Sequence, residues 1–197
     1  GDKINVRRFS RNRLHIGIFG KTNSGKSSFI NTFSGQKVSI VADVAGTTTD
    51  PVYKSMEIYP LGPCVLIDTA GFDDEGELGA LRIEKTSLAA QKTELAIILF
   101  CEDEMVQELK WYNYFKKRQT PVIPVLGKAD LYTQEQKEYL IQMIQKNTGE
   151  TVCPVSSETG EGIRKLKELL AEKIPEGYGN SCLLYTSDAA DDLIGVD

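Results

Sequence analysis

Short apolar segments alternate along this chain with longer segments in which apolar residues recur every three to four positions. The apolar segments predict β-strands, and the segments with helical spacing predict α-helices. Strands are predicted over residues 14–19, 52–59, 64–67, 95–100, 122–126 and 151–155. Helices are predicted over residues 28–33, 81–91, 104–118, 134–146 and 163–173.

This order of elements predicts an α/β fold in three layers, in which helices cover both faces of a mostly parallel, six-stranded sheet. Crossovers in such sheets are right-handed, and ligands bind beyond the carboxyl ends of the strands. Pro124 lies inside the fifth strand, where we expect it to weaken the hydrogen bonding. The residues that directly follow strands are therefore the first candidates for a functional site.

Four segments fall outside the alternation. Residues 1–12 predict an N-terminal arm. Residues 36–50 are polar, and residues 71–79 are acidic and rich in glycine, so both predict mobile loops. Residues 176–197 resemble translated sequencing-adapter read-through, and we treat them as a non-native or disordered tail. The folded domain is predicted over residues 13–175.

Composition and charge exclude several classes of function. No apolar run approaches the ~20 residues of a membrane span, and there is no signal-peptide pattern, so we expect a cytoplasmic protein without a membrane partner. The five acidic residues from Glu176 onward account for the net charge of −5. The rest of the chain is neutral, which argues against nucleic acid as a partner. The single histidine, His15, has no neighbouring ligand for a metal site.

Residues 20–27 (GKTNSGKS) carry the most specific signal in the chain, because they lie between the first predicted strand and the first predicted helix. Two glycines, a lysine and a hydroxyl at this spacing are typical of a phosphate-binding loop. Backbone N–H groups surround the phosphates, the lysine reaches the β- and γ-phosphates, and the hydroxyl binds Mg²⁺. The predicted phosphate-binding residues are Asn23, Ser24, Gly25, Lys26, Ser27 and Ser28, with Lys26 also catalytic and Ser27 also a Mg²⁺ ligand.

Two further segments predict the rest of the magnesium site and a sensor of the γ-phosphate. Asp68 closes the strand 64–67 and can hold Mg²⁺ through its water shell, while the N–H of Gly71 can reach the γ-phosphate. Thr47 and Thr48 lie in the predicted loop, where the hydroxyl of Thr48 can complete the Mg²⁺ shell. A loop that is ordered only when a γ-phosphate is present acts as a switch.

A third segment, GKAD, begins at Gly127 after the fifth strand and predicts recognition of guanine. The carboxylate of Asp130 can accept both the N1–H and the exocyclic amine of guanine, a donor pair that adenine lacks. The stem of Lys128 can pack against the base, and the segment at Ser156 and Ser157 can offer a backbone N–H to guanine O6. The usual guanine motif has asparagine where this chain has Gly127, so we expect weaker nucleotide affinity with selectivity retained.

These motifs occur in the order and at the spacings of the small GTPase-like P-loop proteins, which the chain resembles. Residues 23–28 and 46–50 are similar to the bacterial subgroup that includes the tRNA-modification GTPase, Era and the double-GTPase ribosome-assembly factor. Within that subgroup, residues 12–16, 48–54, 61–63 and 68–79 resemble the FeFe-hydrogenase maturation GTPases, HydF. The resemblance implies a three-layer P-loop NTPase fold that binds GTP and GDP.

The resemblance also implies how hydrolysis proceeds. Phe72 stands where many GTPases have a glutamine that orients water, and Thr49 stands where the relatives often have arginine. The relatives bind K⁺ near the phosphates through an asparagine of the loop. We therefore expect K⁺ at Asn23 in place of an arginine, which gives this residue a catalytic role.

Among Asp74, Glu75 and Glu77, we expect Glu77 to orient water, and the alternative is that these acidic residues only solvate their loop. If no residue orients water, hydrolysis is slow and the domain acts as a binding switch.

In the HydF family a dimerisation domain and a domain that binds a 4Fe–4S cluster follow the GTPase domain. This chain contains neither, so we expect no iron–sulfur cluster on it. The implied partners are GTP, the hydrogenase or its other maturation factors, and a second copy bound through the switch face or through the missing C-terminal domains. We therefore expect a GTP-hydrolysing switch domain in hydrogenase metallocofactor maturation. A ribosome- or tRNA-modification-associated GTPase, or a nucleotide-binding module without turnover, remain the alternatives.

Overall fold

The computed structural model describes residues 13–35, 50–69 and 77–174, and for residues 77–84 it describes the backbone. The predicted arm and tail, residues 36–49 of the first predicted loop and residues 71–76 of the second lie outside this part of the chain, as does residue 70. The predicted domain bounds and the predicted mobility of the two loops therefore stay predictions.

Six strands form one sheet, as predicted. They are β1 (Leu14–Phe19), β2 (Val52–Ile58), β3 (Gly62–Asp68), β4 (Leu95–Phe100), β5 (Val122–Leu126) and β6 (Cys153–Pro154). Their order across the sheet is β2-β3-β1-β4-β5-β6. All neighbours are parallel except β2, which is antiparallel to β3. The segments that follow the parallel strands therefore meet at one edge of the sheet.

The described helices are α1 (Lys26–Ser34), α2 (Glu77–Lys92), α3 (Val106–Lys117), α4 (Gln134–Thr148) and α5 (Ile163–Glu172), with a 3₁₀ turn at Ala129–Leu131. The prediction of a loop over residues 71–79 is wrong at its end, because α2 begins at Glu77. Glutamate, leucine and alanine favour helices and offset the cost of the single glycine, Gly79. Within the described residues, no helix has both the length and the apolar character needed to cross a membrane.

Helices pack on both faces of the sheet, which confirms the three-layer prediction. On one face, Phe29 and Phe33 of α1 and Leu166 of α5 are buried against the strands. On the other face, Phe115 of α3 and Ile144 of α4 are buried against the strands. Apolar residues on both sides of the central strands explain why these strands are continuously apolar in sequence.

Pro124 lies inside β5, next to Ile98 of β4, and does not interrupt the sheet. The carbonyl of Pro121 and the N–H of Gly127 both bond to β4, so the odd-numbered residues of β5 face that strand. Pro124 therefore faces β6, which is only two residues long and pairs with Val125 and Leu126. The expected weakening of β5 is therefore wrong. Pro124 lacks an N–H at a position where β5 makes no hydrogen bond to β6.

Candidate functional site

A tight loop connects β1 to α1. The N–H of Ser24 donates to the carbonyl oxygen of Lys21 at 3.0 Å. Gly25 has a φ of 80° and a ψ of 21°, a left-handed conformation that suits glycine. A Cβ on Gly20 would lie 2.6 Å from the Oγ of Ser24. The backbone conformation of the loop therefore favours glycine at position 25, and the packing of Ser24 favours glycine at position 20. The loop leads into the N-terminus of α1, where N–H groups and the helix dipole favour an anion.

Lys26 and Asp68 meet at the mouth of this loop. The Nζ of Lys26 lies 3.5 Å from the Oδ1 of Asp68, and the lysine is buried while the aspartate is partly exposed. The next residue along fixes the end of β3, because the Oγ1 of Thr69 donates to the carbonyl oxygen of Ile18 at 2.6 Å. The structure thus brings together the lysine predicted to bind phosphates and the carboxylate predicted to hold Mg²⁺.

Ser27 and Asp68 suit a hard cation. Ser27 follows Lys26 on the exposed start of α1, and Asp68 reaches the same region through its contact with Lys26. Hydroxyl and carboxylate oxygens, with water, are the ligands that Mg²⁺ prefers. The donor chemistry of these residues therefore fits a magnesium ion.

Three residues predicted to recognise guanine also lie together. The Oγ of Ser156 donates to the Oδ1 of Asp130 at 2.9 Å. Lys128 has a left-handed backbone, and its Nζ donates to the carbonyl oxygen of Asn23 at 3.0 Å. This last bond joins the segment after β5 to the loop after β1, so the two predicted halves of a nucleotide site are in contact.

The connection between β6 and α5 holds Ser156 in place. The N–H of Ser156 donates to the carbonyl oxygen of Glu161 at 3.0 Å, and its own carbonyl accepts from the N–H of Gly160 at 2.9 Å. Because the Ser156 N–H is already used, a backbone donor for a base must come from the following residues. Ser157 is next, and its carbonyl oxygen accepts from the Oγ1 of Thr32 of α1 at 3.2 Å.

The backbone conformation at Gly127 does not require glycine. Gly127 is absent from the positive-φ residues of the described chain. A Cβ at this position would lie 3.6 Å from the carbonyl oxygen of Ser24 and 3.7 Å from the Cδ2 of Leu99, which are ordinary contact distances. The structure therefore has room for a side chain between the guanine segment and the phosphate-binding loop.

Other predicted site residues are not placed in this geometry. Thr47, Thr48 and Gly71 lie outside the described residues. Glu77 is the first residue of α2, and the description covers its backbone. Asn23 is exposed, and its described contact uses the carbonyl oxygen. The roles predicted for these residues stay predictions.

The sequence motifs do not assign a role to Lys21, which is almost completely buried beside the loop. Its Nζ donates to the Oε1 of Glu102 at 2.9 Å and to the backbone oxygen of Glu104 at 2.8 Å, and it also contacts the carboxylate of Glu104. The Oε1 of Glu108 lies 3.6 Å away. Burial lowers the pKa of Lys21, but the hydrogen bonds to Glu104 and Glu102 outweigh burial and raise it. In the sequence, only the position of this lysine, directly after the first glycine of the motif, could have indicated its role.

Comparison with protein families matches residues 15–128 to the family described as 50S ribosome-binding GTPase. GTPase Der of Wolinella succinogenes is 34% identical over 173 residues, which cover 85% of this chain and 36% of that protein. The tRNA modification GTPase MnmE of Clostridioides difficile is 27% identical over 189 residues, which cover 93% of this chain and 40% of that protein. The chain therefore spans well under half the length of these relatives.

Among solved structures, a variant of Era from Aquifex aeolicus bound to GDP and AlF4⁻ has a TM-score of 0.71 and 27% identity, covering 83% of this chain and 57% of that chain. Era in complex with MgGDPNP and a segment of 16S ribosomal RNA matches with the same TM-score of 0.71, identity of 27% and coverage. At this TM-score and identity, these two structures share the fold of this chain.

Proposed function

The chain belongs to the 50S ribosome-binding GTPase family and is a GTP-hydrolysing domain, and from this premise we propose that it is the nucleotide switch of a larger GTPase that acts on the ribosome or on tRNA. The names of the relatives support this choice, since they include a tRNA modification GTPase and a structure that contains 16S ribosomal RNA. Because the chain spans only part of these relatives, the RNA-directed step is assigned to segments beyond the GTPase domain.

The observation that carries the nucleotide-binding part of the proposal is the bond between Lys128 Nζ and the carbonyl oxygen of Asn23, at 3.0 Å. It holds the guanine segment against the phosphate-binding loop. A nucleotide with its phosphates at the start of α1 then presents its base to Asp130, which Ser156 orients at 2.9 Å.

Guanine selectivity is tested by Asp130→Asn. The carboxylate accepts from the N1–H and the exocyclic amine of guanine, whereas an amide offers a donor that matches the 2-carbonyl of xanthine. We expect the variant to lose affinity for GDP and to gain affinity for xanthosine diphosphate, measured by titration calorimetry. Unchanged preference for GDP would show that Asp130 does not contact the base.

For hydrolysis, we assign charge neutralisation to Lys26 and the magnesium ligands to Ser27 and Asp68, with Thr48 as the switch ligand. When bound, Mg²⁺ withdraws charge from the β- and γ-phosphate oxygens. Lys26 binds the same phosphates, and its contact with Asp68 positions both groups before a nucleotide arrives. Glu77, at the start of α2, is proposed to orient the attacking water.

We also propose that K⁺ bound at Asn23 supplies the positive charge near the phosphates that an arginine would otherwise supply. The position of Asn23 on the exposed turn of the phosphate-binding loop supports this assignment. Phosphate release should then be faster in KCl than in NaCl at equal ionic strength, and Asn23→Ala should remove the difference. Equal rates in the two salts for the unaltered protein would contradict the potassium proposal but leave GTP hydrolysis intact.

Hydrogenase metallocofactor maturation is a second candidate, supported by the motif resemblance of residues 48–54, 61–63 and 68–79. The names of the relatives favour the first candidate. The gene sequence beyond residue 175 decides between them. A cysteine and histidine cluster there would support hydrogenase maturation, and an RNA-binding module would support the ribosome or tRNA assignment.

A further inference from the structure

Lys21 is a buried cation within the phosphate-binding loop. Its ammonium group has three N–H donors, and three oxygens accept them: the Oε1 of Glu102, the backbone oxygen of Glu104 and a carboxylate oxygen of Glu104. All of these belong to the segment between β4 and α3. Lys21 is 7% exposed, so water contributes little to holding it. This lysine therefore attaches the phosphate-binding loop to a neighbouring strand connection instead of binding phosphate.

Glu108 lies beneath this lysine on the first turn of α3. It is 2% exposed, and its Oε1 is among the few buried side-chain atoms of the described residues without a hydrogen-bond partner. The Nζ of Lys21, 3.6 Å away, is the cation that faces it. A buried carboxylate is costly unless a cation compensates it. Glu108 thus fixes the place where the ammonium of Lys21 must lie.

The same cluster also fixes the start of α3. The Oε1 of Glu104 accepts from the N–H of Val106 at 3.1 Å and so satisfies one of the free donors at the helix N-terminus. The segment that binds Lys21 is therefore attached to α3, so it does not simply move together with the lysine.

The position of Lys21 is transmitted to the loop through its backbone. The carbonyl oxygen of Lys21 accepts from the N–H of Ser24 at 3.0 Å, which closes the turn. Ser24 in turn contacts the position of Gly20, and Gly25 follows it in a left-handed conformation. A shift of Lys21 would therefore change the direction of the N–H groups that face the phosphates.

We propose that Lys21 and Glu108 are positioning residues for GTP, which hold the phosphate-binding loop in its binding shape by anchoring it to the segment between β4 and α3. The inference rests on the proposed function, because it assigns a role in binding the same nucleotide. It adds a second support for the loop, separate from the bond that Lys128 makes to Asn23.

The test begins with Lys21→Met, which keeps the apolar stem of the side chain and removes the charge and its donors. We expect the Kd for GDP and for GTP to rise on the order of ten-fold, the loss expected for charge-assisted hydrogen bonds. Lys21→Arg should restore a Kd near the original value. Lys117→Met, the same change at an exposed lysine of α3, is the matched control and should leave the Kd unchanged.

A double variant separates positioning from stability. Lys21→Met leaves Glu108 without its cation and so lowers the melting temperature, whereas Lys21→Met combined with Glu108→Leu removes both charges and should recover it. We expect nucleotide binding to stay weak in this double variant. A Kd that returns to the original value together with the melting temperature would overturn the proposal, as would an unchanged Kd in Lys21→Met. Absence of GDP and GTP binding in the unaltered protein would instead contradict the proposed function.

Discussion

Glu108→Gln should change how the stability of this protein depends on pH. Burial raises the pKa of the Glu108 carboxyl to about 7, from an ordinary value of 4.5, although the charge of Lys21 opposes the rise and that of Glu104 supports it. Burial also raises the pKa of the neighbouring Cys101 thiol, and the charges of Glu102 and then Glu108 add to this rise. Glutamine has a similar shape and does not titrate, so the variant isolates the effect of this proton.

The magnitude follows from the two pKa values. They differ by about 2.5, and each pKa unit corresponds to roughly 1.4 kcal/mol, so the effect is about 3 kcal/mol. The folded protein binds the proton more tightly than the unfolded chain does. The contribution of this carboxyl to stability is therefore fully present below pH 4.5 and is lost as the pH rises through about 7.

The assay is urea unfolding of the unaltered protein and of Glu108→Gln at several pH values between 5 and 8. We expect the free energy of unfolding of the variant, relative to the unaltered protein, to rise by about 2.5 kcal/mol from pH 5 to pH 8, because most of the effect lies within this range. Glu138→Gln, at an exposed position of α4, is the control. A difference between Glu108→Gln and the unaltered protein that is the same at every pH would refute the reasoning.

Three other predictions concern the loops of the site. Gly127→Asn should lower the Kd for GDP several-fold in calorimetry, because the new amide has room to donate to the carbonyl oxygen of Ser24. Weaker binding of GDP would show that the side chain does not brace the loop in this way. Gly162→Ala should lower the free energy of unfolding by about 3 kcal/mol or more in thermal unfolding, since the new Cβ would lie 2.0 Å from the oxygen of Pro154 at a φ of 79°. Gly160→Ala is the control, because Gly160 has the same φ but open space around it, and it should lower the free energy of unfolding by only about 1–2 kcal/mol. Removal of Mg²⁺ with a chelator should weaken binding of GTP, and an unchanged Kd would contradict the assignment of the magnesium ligands.

The alternation of elements was sufficient to predict the sheet, because apolar segments of strand length between helical segments leave few other arrangements. The details that failed depend on neighbours. Pro124 predicts a weakened strand from sequence alone, but the side of this residue that lacks an N–H faces the two-residue strand β6. The start of α2 at Glu77 was missed because acidic residues and glycines predict loops as readily as they begin helices.

The candidate site was predicted in part, because its motifs are short and each follows a strand. Lys26, Asp68, Lys128 and Asp130 could be assigned without a structure. The support from Lys21 could not, since its partners Glu102 and Glu104 lie 81 and 83 residues away along the chain. Only the parallel pairing of β1 with β4 brings those segments together.

The most direct test of the account is titration calorimetry of the protein with GDP and with a non-hydrolysable GTP analogue in the presence of Mg²⁺, with ADP as the comparison. We predict that one guanine nucleotide binds per chain and that Lys26→Ala abolishes the binding, while ADP gives no comparable heat. Well-folded protein that releases no heat with either guanine nucleotide, or that binds ADP equally well, would contradict it.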